Sequence, residues 1–468
     1  MSGQPGRAEN GAALRNASDG AGGALDDFIV EGPAILTVDP EWRVFEPGYI
    51  AVRNGRISAL GPAEEGRARN ASRRIEARGK LLMPGFVNTH THVSMAAFRG
   101  ACEDIPDRLT RFLFPLERDL VRPNLVYWST LYCLVEMALS GTTTFADMYY
   151  FEDEVAKATE IAGMRAILGE TLLDQPAPDA PDFLAGMDYA RAFIAKWKGH
   201  ELIEPCFAPH APYTVDRENL GVIRDEAERF DVDIMMHVAE MDFENKRFSE
   251  SHGSVLRYLD SIKGLLSPRL LAAHMLYIGD EEIELVKERG MRVAHCPSSN
   301  AKSGRRICPA WRMTKAGIPL GLATDGPLSG NGMDMQGIVN LFPKMQKTRE
   351  GRRDVLTAKE ALRAATLGGA EALRMEKDIG SLEVGKKADF IIIDADDFNM
   401  QPVYDWYATL VYALRPHNVE SVFVGGRQIV AERKMAGIDQ SEVMAEMLRI
   451  KTECSSFIAD IAMKSAAG

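Results

Sequence analysis

Eight short apolar runs between residues 86 and 325 constrain the fold of this chain more than any other feature of its sequence. Most of the runs end in a polar residue, and amphipathic helical segments separate them. Eight alternating strand and helix pairs predict an α/β fold, a (β/α)8 barrel over residues 86–375, with reactive side chains at the carboxyl ends of the strands. The runs are FVNTHTH, TTTFADM, RAILGETL, EPCFAPH, DIMMHVAE, RLLAAH, RVAHCP and PLGLATD.

Segments with different sequence patterns precede and follow the predicted barrel in the chain. Residues 26–85 and 376–436 contain short strand-like runs broken by glycine, proline and asparagine turn signals, and we expect them to combine into one small β-sandwich domain. Residues 1–25 have almost no large apolar side chain, which predicts a flexible leader. Residues 437–468 have the spacing of an amphipathic C-terminal helix.

Charge and cysteine content exclude several classes of function. The chain has 55 Lys and Arg against 67 Asp and Glu, and its net charge of −12 disfavours nucleic acid and membrane surfaces as partners. The six cysteines are scattered, and no apolar run approaches the roughly 18 to 20 residues that cross a bilayer. We therefore expect a cytoplasmic protein with a small-molecule substrate, whose C-terminal helix could serve subunit contact in a homo-oligomer.

Histidines cluster at the ends of the predicted strands. His90 and His92 are two residues apart, so on a strand both imidazoles point to the same face. His237 at the end of the fifth strand and Asp325 at the end of the eighth would complete a shell of three nitrogens and one carboxylate. This pattern predicts a divalent metal site. Zinc suits the shell, while iron, cobalt and manganese stay open.

A carboxylate follows the fifth strand beside this predicted metal site. His237 and Glu240 form an HxxE pattern, which places Glu240 just beyond the strand end. We interpret Glu240 as a catalytic group, with a solvated loop residue as the alternative.

The motifs together resemble the amidohydrolase superfamily, in the subgroup of cytosine, guanine and adenosine-derivative deaminases and chlorohydrolases. The resemblance runs from about residue 28 to 435. It rests on PGFVNTHTHVSMAAFRG, GTTTFADMYY, APHAPY, HVAE, AAHMLYI, AHCPSSNAKSG, TDGPLSGN and IGSLEVGKKADFIIID.

The resemblance implies a role for each matching residue. Metal binding falls to His90, His92, His237 and Asp325. Glu240 would transfer protons, His274 would orient the water or the substrate, and His210 would contact the substrate. Relatives with two metal ions have a carbamylated lysine or a glutamate at the end of the fourth strand. Because this strand ends in His210, we expect one divalent ion.

The expected activity is hydrolytic deamination of an amino-substituted nitrogen heterocycle of the purine, pterin, pyrimidine or triazine type. A divalent ion lowers the pKa of its bound water to about 7, which makes hydroxide available at neutral pH. Glu240, His274 and Asp325 would act as catalytic groups. Two alternatives stay open: hydrolysis of a C–Cl, alkylamino, urea or (thio)carbamate bond at the same site, and a catalytically silent barrel that serves as a binding scaffold.

The nearest pattern within the family is that of the S-adenosylhomocysteine and methylthioadenosine deaminases, in which the counterpart of Glu117 would hold ribose hydroxyls. Those enzymes have an arginine after the third strand, where this chain has Glu170, and the next loop here has no arginine. We expect Glu170 to line the pocket and S-adenosylhomocysteine to be a poor substrate, unless Glu170 pairs elsewhere. Arg305 and Arg306 depart from a usually glycine-rich segment, and we place them in a solvated loop.

Overall fold

The computed structural model describes residues 25–105 and 108–466. The predicted leader lies outside these residues except for Leu25. The first part of the described chain is built from short strands broken by tight turns. These are β1 (Asp26–Glu31), β2 (Ala34–Leu36), β3 (Val44–Phe45), β4 (Gly48–Arg53), β5 (Arg56–Pro62), β6 (Ala71–Glu76) and β7 (Lys80–Pro84).

The barrel follows directly after β7, and its eight strands coincide with the eight apolar runs of the sequence. They are β8 (Phe86–Thr91), β9 (Thr142–Tyr149), β10 (Arg165–Leu172), β11 (Ile203–Pro209), β12 (Ile234–Val238), β13 (Leu270–His274), β14 (Arg292–His295) and β15 (Leu320–Leu322). All neighbours are parallel and stand in chain order. The predicted (β/α)8 fold is confirmed.

The first and last barrel strands approach each other closely enough to bring their ends together. Thr89 donates a hydrogen bond to the carbonyl of Leu322 at 3.0 Å. The backbone N–H of Asp325 donates to the carbonyl of His90 at 3.1 Å. The barrel is therefore nearly closed, and the segment after β15 lies beside the end of β8.

Helices connect and surround the strands. They are α1 (Ala63–Gly66), α2 (Phe114–Leu120), α3 (Pro123–Leu139), α4 (Glu152–Ala162), α5 (Phe183–Trp197), α6 (Arg217–Phe230), α7 (Asp242–His252), α8 (Val255–Asp260), α9 (Asp280–Arg289), α10 (Pro297–Lys302), α11 (Ala310–Lys315), α12 (Met335–Glu350), α13 (Ala358–Ala364), α14 (Leu367–Ala372), α15 (Trp406–Tyr412) and α16 (Gln440–Ala466). A 3-10 turn spans Val93–Phe98, a π-helical turn spans Leu109–Leu113, and a second 3-10 turn spans Pro416–Asn418.

The two flanking β segments combine, as the sequence predicts. The C-terminal strands are β16 (Phe390–Asp394), β17 (Val419–Val424), β18 (Arg427–Ala431) and β19 (Lys434–Met435). Strand β16 pairs with β7 in antiparallel register, which joins both segments in one seven-stranded sheet. A second sheet has the strand order β5-β4-β1-β6. Phe28, Phe390 and Phe423 from the two sheets pack with ring centroids 4.5 to 6.5 Å apart.

A buried ion pair connects the barrel to this sandwich. The guanidinium of Arg165, at the start of β10, contacts both carboxylate oxygens of Asp389 at 3.0 and 3.2 Å. Both side chains are almost fully buried. A two-point contact of this kind fixes orientation as well as distance, so the sandwich holds the amino end of β10 in place.

The predicted C-terminal helix is present as α16, which packs against α3. Ile450 and Cys454 of α16 are buried, whereas Met444 and Leu448 are exposed. Within the described ranges, none of the helices combines the length and apolar character needed to span a bilayer.

Candidate metal centre and active site

A cavity opens at the carboxyl ends of the barrel strands, where the sequence predicts the reactive side chains. Seven of the predicted site residues line it, and they come from segments far apart in the chain. These are His92, Glu117, His210, His237, Glu240, His274 and Asp325. His90 lies next to them, with its ring centroid 4.8 Å from that of His92 and 4.9 Å from that of His237.

The tautomers of His92 and His237 follow from their hydrogen bonds. Nδ1 of His92 lies 2.6 Å from the carbonyl oxygen of Met148, and Nδ1 of His237 lies 2.8 Å from that of His210. A carbonyl oxygen can only accept, so both Nδ1 atoms carry the proton and both Nε2 atoms present a lone pair. The two Nε2 atoms are 3.2 Å apart. Two lone pairs at this distance repel each other unless a cation lies between them.

His90 has no exposed surface, and neither of its ring nitrogens has a hydrogen-bond partner among the described residues. Burial, followed by the neighbouring histidines, lowers the pKa of His90 well below its usual range. The ring is therefore neutral and can offer a nitrogen lone pair. A buried imidazole without a partner is costly in a folded protein, and a metal ion would satisfy it.

Asp325 supplies the carboxylate of the cluster. Its Oδ1 lies 3.5 Å from Nε2 of His92 and accepts a hydrogen bond from the N–H of Gly326 at 2.6 Å. Asp325 adopts a φ of 62°, a conformation that non-glycine residues rarely take outside functional sites. This backbone turn and the bond from its N–H to the carbonyl of His90 hold the side chain against the histidines.

Among the described residues, the potential ligand atoms form three overlapping groups of three, and the atoms in each group lie within 4.8 Å of one another; one of these groups is His274, Cys296 and Asp325. The other two groups share His90: His90, His92 and Asp325 form one, and His90, His237 and His274 form the other. Imidazole nitrogens with a carboxylate are a donor set that zinc and related divalent metals accept. The cluster thus fits a divalent ion.

Glu240 stands beside this cluster, held between a histidine and an arginine. Its Oε1 lies 3.7 Å from Nε2 of His274 and forms an ion pair with Nη1 of Arg305. Burial tends to raise the pKa of Glu240, but His274 and Arg305 outweigh it and bring that pKa far below its usual range. Glu240 is therefore not a solvated loop residue, because its side chain is only 14% exposed.

Two further predicted residues, Glu117 and His210, occupy the wall of the cavity. Burial, slightly offset by Tyr149, raises the pKa of Glu117 to about 8. Burial also lowers the pKa of His210 to about 4, and its Nδ1 contacts the hydroxyl of Thr214 at 2.9 Å. At neutral pH both side chains are therefore uncharged, and each can offer hydrogen bonds to a neutral ligand.

Glu170 does not lie where the sequence analysis expects it. It is absent from the cavity lining, and the adjacent residue Thr171 lines the cavity instead. The Glu170 carboxylate accepts a hydrogen bond from the N–H of Glu152 at 3.1 Å. Burial, followed by Asp179, raises the pKa of Glu170 well above its usual range. Successive residues of a strand face opposite sides, so Thr171 takes the inward position and Glu170 the outward one.

Several residues that line the cavity are not among the site residues predicted from the sequence. Arg305, expected in a solvated loop, lines the cavity, whereas Arg306 is exposed. Arg108, Phe114 and Tyr213 also line it. Arg305 could have been found, because its loop follows the seventh barrel strand and such loops surround the active site of a (β/α)8 barrel.

Comparisons with known proteins agree with this geometry. The model of the amidohydrolase family matches residues 81–429. The chain is 38% identical over 427 residues to a protein of Syntrophobacter fumaroxidans named 5-methylthioadenosine/S-adenosylhomocysteine deaminase, a match that covers 90% of this chain and 97% of that protein. It is 33% identical over 426 residues to a 5'-deoxyadenosine deaminase of Methanosarcina acetivorans, with coverage of 90% and 97%.

A solved structure shows the same architecture. An adenosine deaminase from Xanthomonas campestris with bound zinc superposes with a TM-score of 0.90. The two chains are 33% identical, and the match covers 92% of this chain and 99% of that one.

Proposed function

The chain belongs to the amidohydrolase family, and from that membership we propose that it hydrolyses the 6-amino group of adenosine derivatives modified at the 5' position. One observation carries the proposal most directly. The facing Nε2 atoms of His92 and His237, 3.2 Å apart, lie in the same cavity as the carboxylate of Glu240. This proximity supports a site in which a metal ion and a proton carrier act on the same substrate.

We propose zinc as the resident ion, held by His90, His92, His237 and Asp325. When bound, a divalent ion at this position supplies an acidified water next to the carbon that bears the amino group. The Nδ1 hydrogen bonds of His92 and His237 orient both rings toward that position.

In this proposal two side chains move protons and a third orients the attacking water. Asp325 accepts a proton from the attacking water, and His274 orients the water. Glu240, which is ionised before the reaction, takes up one proton of the attacking water and gives it to the ring nitrogen, and it then passes the second water proton, held by Asp325, to the departing amine. The C–O bond forms first, by addition of the water oxygen to the ring carbon, the C–N bond then breaks, and the products are ammonia and the 6-oxo purine.

The residues in the wall of the cavity and the relatives both support this substrate class. Glu117 and His210 present neutral hydrogen-bonding groups, which suit ribose hydroxyls and a purine ring nitrogen. Leu109, Leu113 and Phe114 add an apolar surface, which suits a small 5' substituent. The relatives named 5-methylthioadenosine/S-adenosylhomocysteine deaminase and 5'-deoxyadenosine deaminase support an adenosine derivative modified at the 5' position.

The test is a substrate panel assayed for released ammonia with zinc-loaded protein. The panel contains 5'-methylthioadenosine, 5'-deoxyadenosine, adenosine, guanine, cytosine and a chlorotriazine. We expect the first two to have the highest kcat/KM. Turnover of the chlorotriazine with release of chloride, and no turnover of any adenosine derivative, would contradict the proposal. No turnover of any compound would favour the scaffold alternative.

We also propose a cytoplasmic location and a homo-oligomer. The cysteines of the described chain are all unpaired, which suits a reducing compartment. Met444 and Leu448 leave an exposed apolar stripe on α16 that is suited to a subunit contact.

A further inference from the structure

The ion pair between Arg305 and Glu240 joins two loops on the rim of the barrel. Glu240 follows β12, and Arg305 follows the short helix α10. The Arg305 side chain is 23% exposed and its nitrogen Nη1 contacts Oε1 of Glu240. Among the described residues, Glu240 is the one side chain with which the Arg305 guanidinium forms a hydrogen bond.

The backbone near Arg305 is tied to the same site. Its N–H donates to the carbonyl of Asn300 at 3.0 Å. The side-chain oxygen of Asn300 lies 3.0 Å from Nδ1 of His274. Asn300 is buried. A single buried residue therefore connects the two groups, His274 and Arg305, that flank Oε1 of Glu240.

We infer that Arg305 is a positioning residue that holds the carboxylate of Glu240 for proton transfer. The inference rests on the proposed proton-transfer role of Glu240. A glutamate side chain has three rotatable bonds, and fixing it in one geometry has an entropic cost that the ion pair offsets. The contacts of Arg305 and His274 are both made to Oε1, so Oε2 is the oxygen left to exchange protons with water and the ring nitrogen.

An arginine suits this position better than a lysine or a histidine would. It stays charged at every pH at which the protein is folded, and its planar group sets the direction of the contact. An error of about 1 Å in the position of a catalytic group can reduce turnover by a hundredfold. Loss of Arg305 should therefore act on kcat.

A rival role for Arg305 is to bind an anionic group of the substrate. That role is disfavoured because an anion at the guanidinium would lie beside the Glu240 carboxylate and be repelled by it. It also predicts a different kinetic effect, in which KM rises for substrates with a carboxylate and kcat is unchanged.

The experiment is a double-mutant cycle between Arg305→Ala and Glu240→Gln on zinc-loaded protein, with kcat and KM measured for a neutral substrate. Arg305→Ala should lower kcat by about ten- to a hundredfold with KM nearly unchanged. In the Glu240→Gln background it should add almost no further loss, because the group that it positions can no longer carry a proton. Arg305→Lys should recover part of the loss.

Arg306→Ala is the matched control. The Arg306 guanidinium lies 4.8 Å from the centre of the Tyr277 ring, and the residue is exposed and outside the cavity. Its removal should leave kcat near that of the parent protein, and bound zinc should be equal in all variants.

Three results would overturn the inference: parent-like kcat in Arg305→Ala, an Arg305→Ala loss of the same size with and without Glu240→Gln, or an effect confined to KM of carboxylate-bearing substrates. If the parent protein deaminates no adenosine derivative, the proposed function fails. The cycle is then run on the heterocycle that the parent does deaminate, which tests Arg305 separately.

Discussion

The Nε2 atoms of His92 and His237 lie 3.2 Å apart, and each ring donates its Nδ1 hydrogen to a backbone carbonyl. The two carbonyls, of Met148 and His210, belong to other strand ends of the barrel. They fix the tautomers before any ion arrives, so the site is prepared for a cation by the fold itself.

The first prediction concerns metal binding by His90 and His92. Replacing either residue by Ala removes one of four ligands and should abolish both tight zinc binding and turnover. Elemental analysis of the purified variants is the measurement. His200→Ala is the control, since His200 is a partly exposed residue near Glu160 and far from the cavity lining. Full zinc occupancy in His90→Ala would show that the ligand assignment is wrong.

The barrel and the clustering of the histidines could be predicted from sequence because strand periodicity is a local pattern and the carboxyl ends of barrel strands meet at one site. The two histidines of an HxH pair on a strand point to the same face of the sheet. Eight apolar runs that alternate with helices at this spacing commonly form a (β/α)8 barrel. Glu170 could not be assigned in the same way. A shift of one residue along a strand reverses the side that a residue faces, and the apolar run around Glu170 does not fix that choice.

The ion pair between Arg305 and Glu240 could not be predicted from the sequence, for a different reason. The two residues are 65 positions apart on separate loops, and no periodic pattern relates them. Their contact depends on how far each loop extends over the barrel, which is a tertiary property.

A second prediction separates proton transfer from metal binding. Glu240→Gln keeps the size and shape of the side chain but cannot carry a proton, so zinc content should be unchanged. The turnover number should fall by roughly a hundredfold or more, as is usual for a general acid or base. Glu250→Gln on the adjacent helix α7, where Glu250 is exposed, should behave as the parent protein. Near-parent kcat in Glu240→Gln would make Glu240 a bystander.

A third prediction uses the buried carboxylate of Glu170. Because its pKa is raised in the folded state, its contribution to stability is fully present below the unfolded pKa of about 4.3 and is lost as pH rises toward the folded pKa. Glu170→Gln does not ionise. The melting temperature of the parent protein should therefore fall more between pH 5 and pH 8 than that of Glu170→Gln, while activity stays close to that of the parent.

Thermal unfolding of both proteins across this pH range measures the difference. Glu41→Gln is the control, since the Glu41 side chain is 74% exposed and should leave the profile unchanged. Identical pH profiles for the parent protein and Glu170→Gln would mean that Glu170 ionises as readily in the folded as in the unfolded chain.

The last prediction concerns S-adenosylhomocysteine, whose tail carries a carboxylate. The two arginines that line the cavity already have partners: Arg108 donates to the carbonyls of Leu328 and Ala101 at 2.9 and 2.6 Å, and Arg305 pairs with Glu240. The inward residue of the third strand is the neutral Thr171. A carboxylate tail would thus enter the cavity without a charge-assisted partner, and its desolvation would be poorly offset.

We expect kcat/KM for 5'-methylthioadenosine to exceed that for S-adenosylhomocysteine by about ten- to a hundredfold, the effect of one missing charge-assisted hydrogen bond. Thr171→Arg adds a guanidinium at the cavity wall and should narrow this ratio, whereas Thr171→Gln, a long neutral side chain, should not. The assay is ammonia release from both substrates under identical conditions. Equal kcat/KM values in the parent protein would refute the prediction, because they would require Arg108 or Arg305 to leave its present partner and bind the tail.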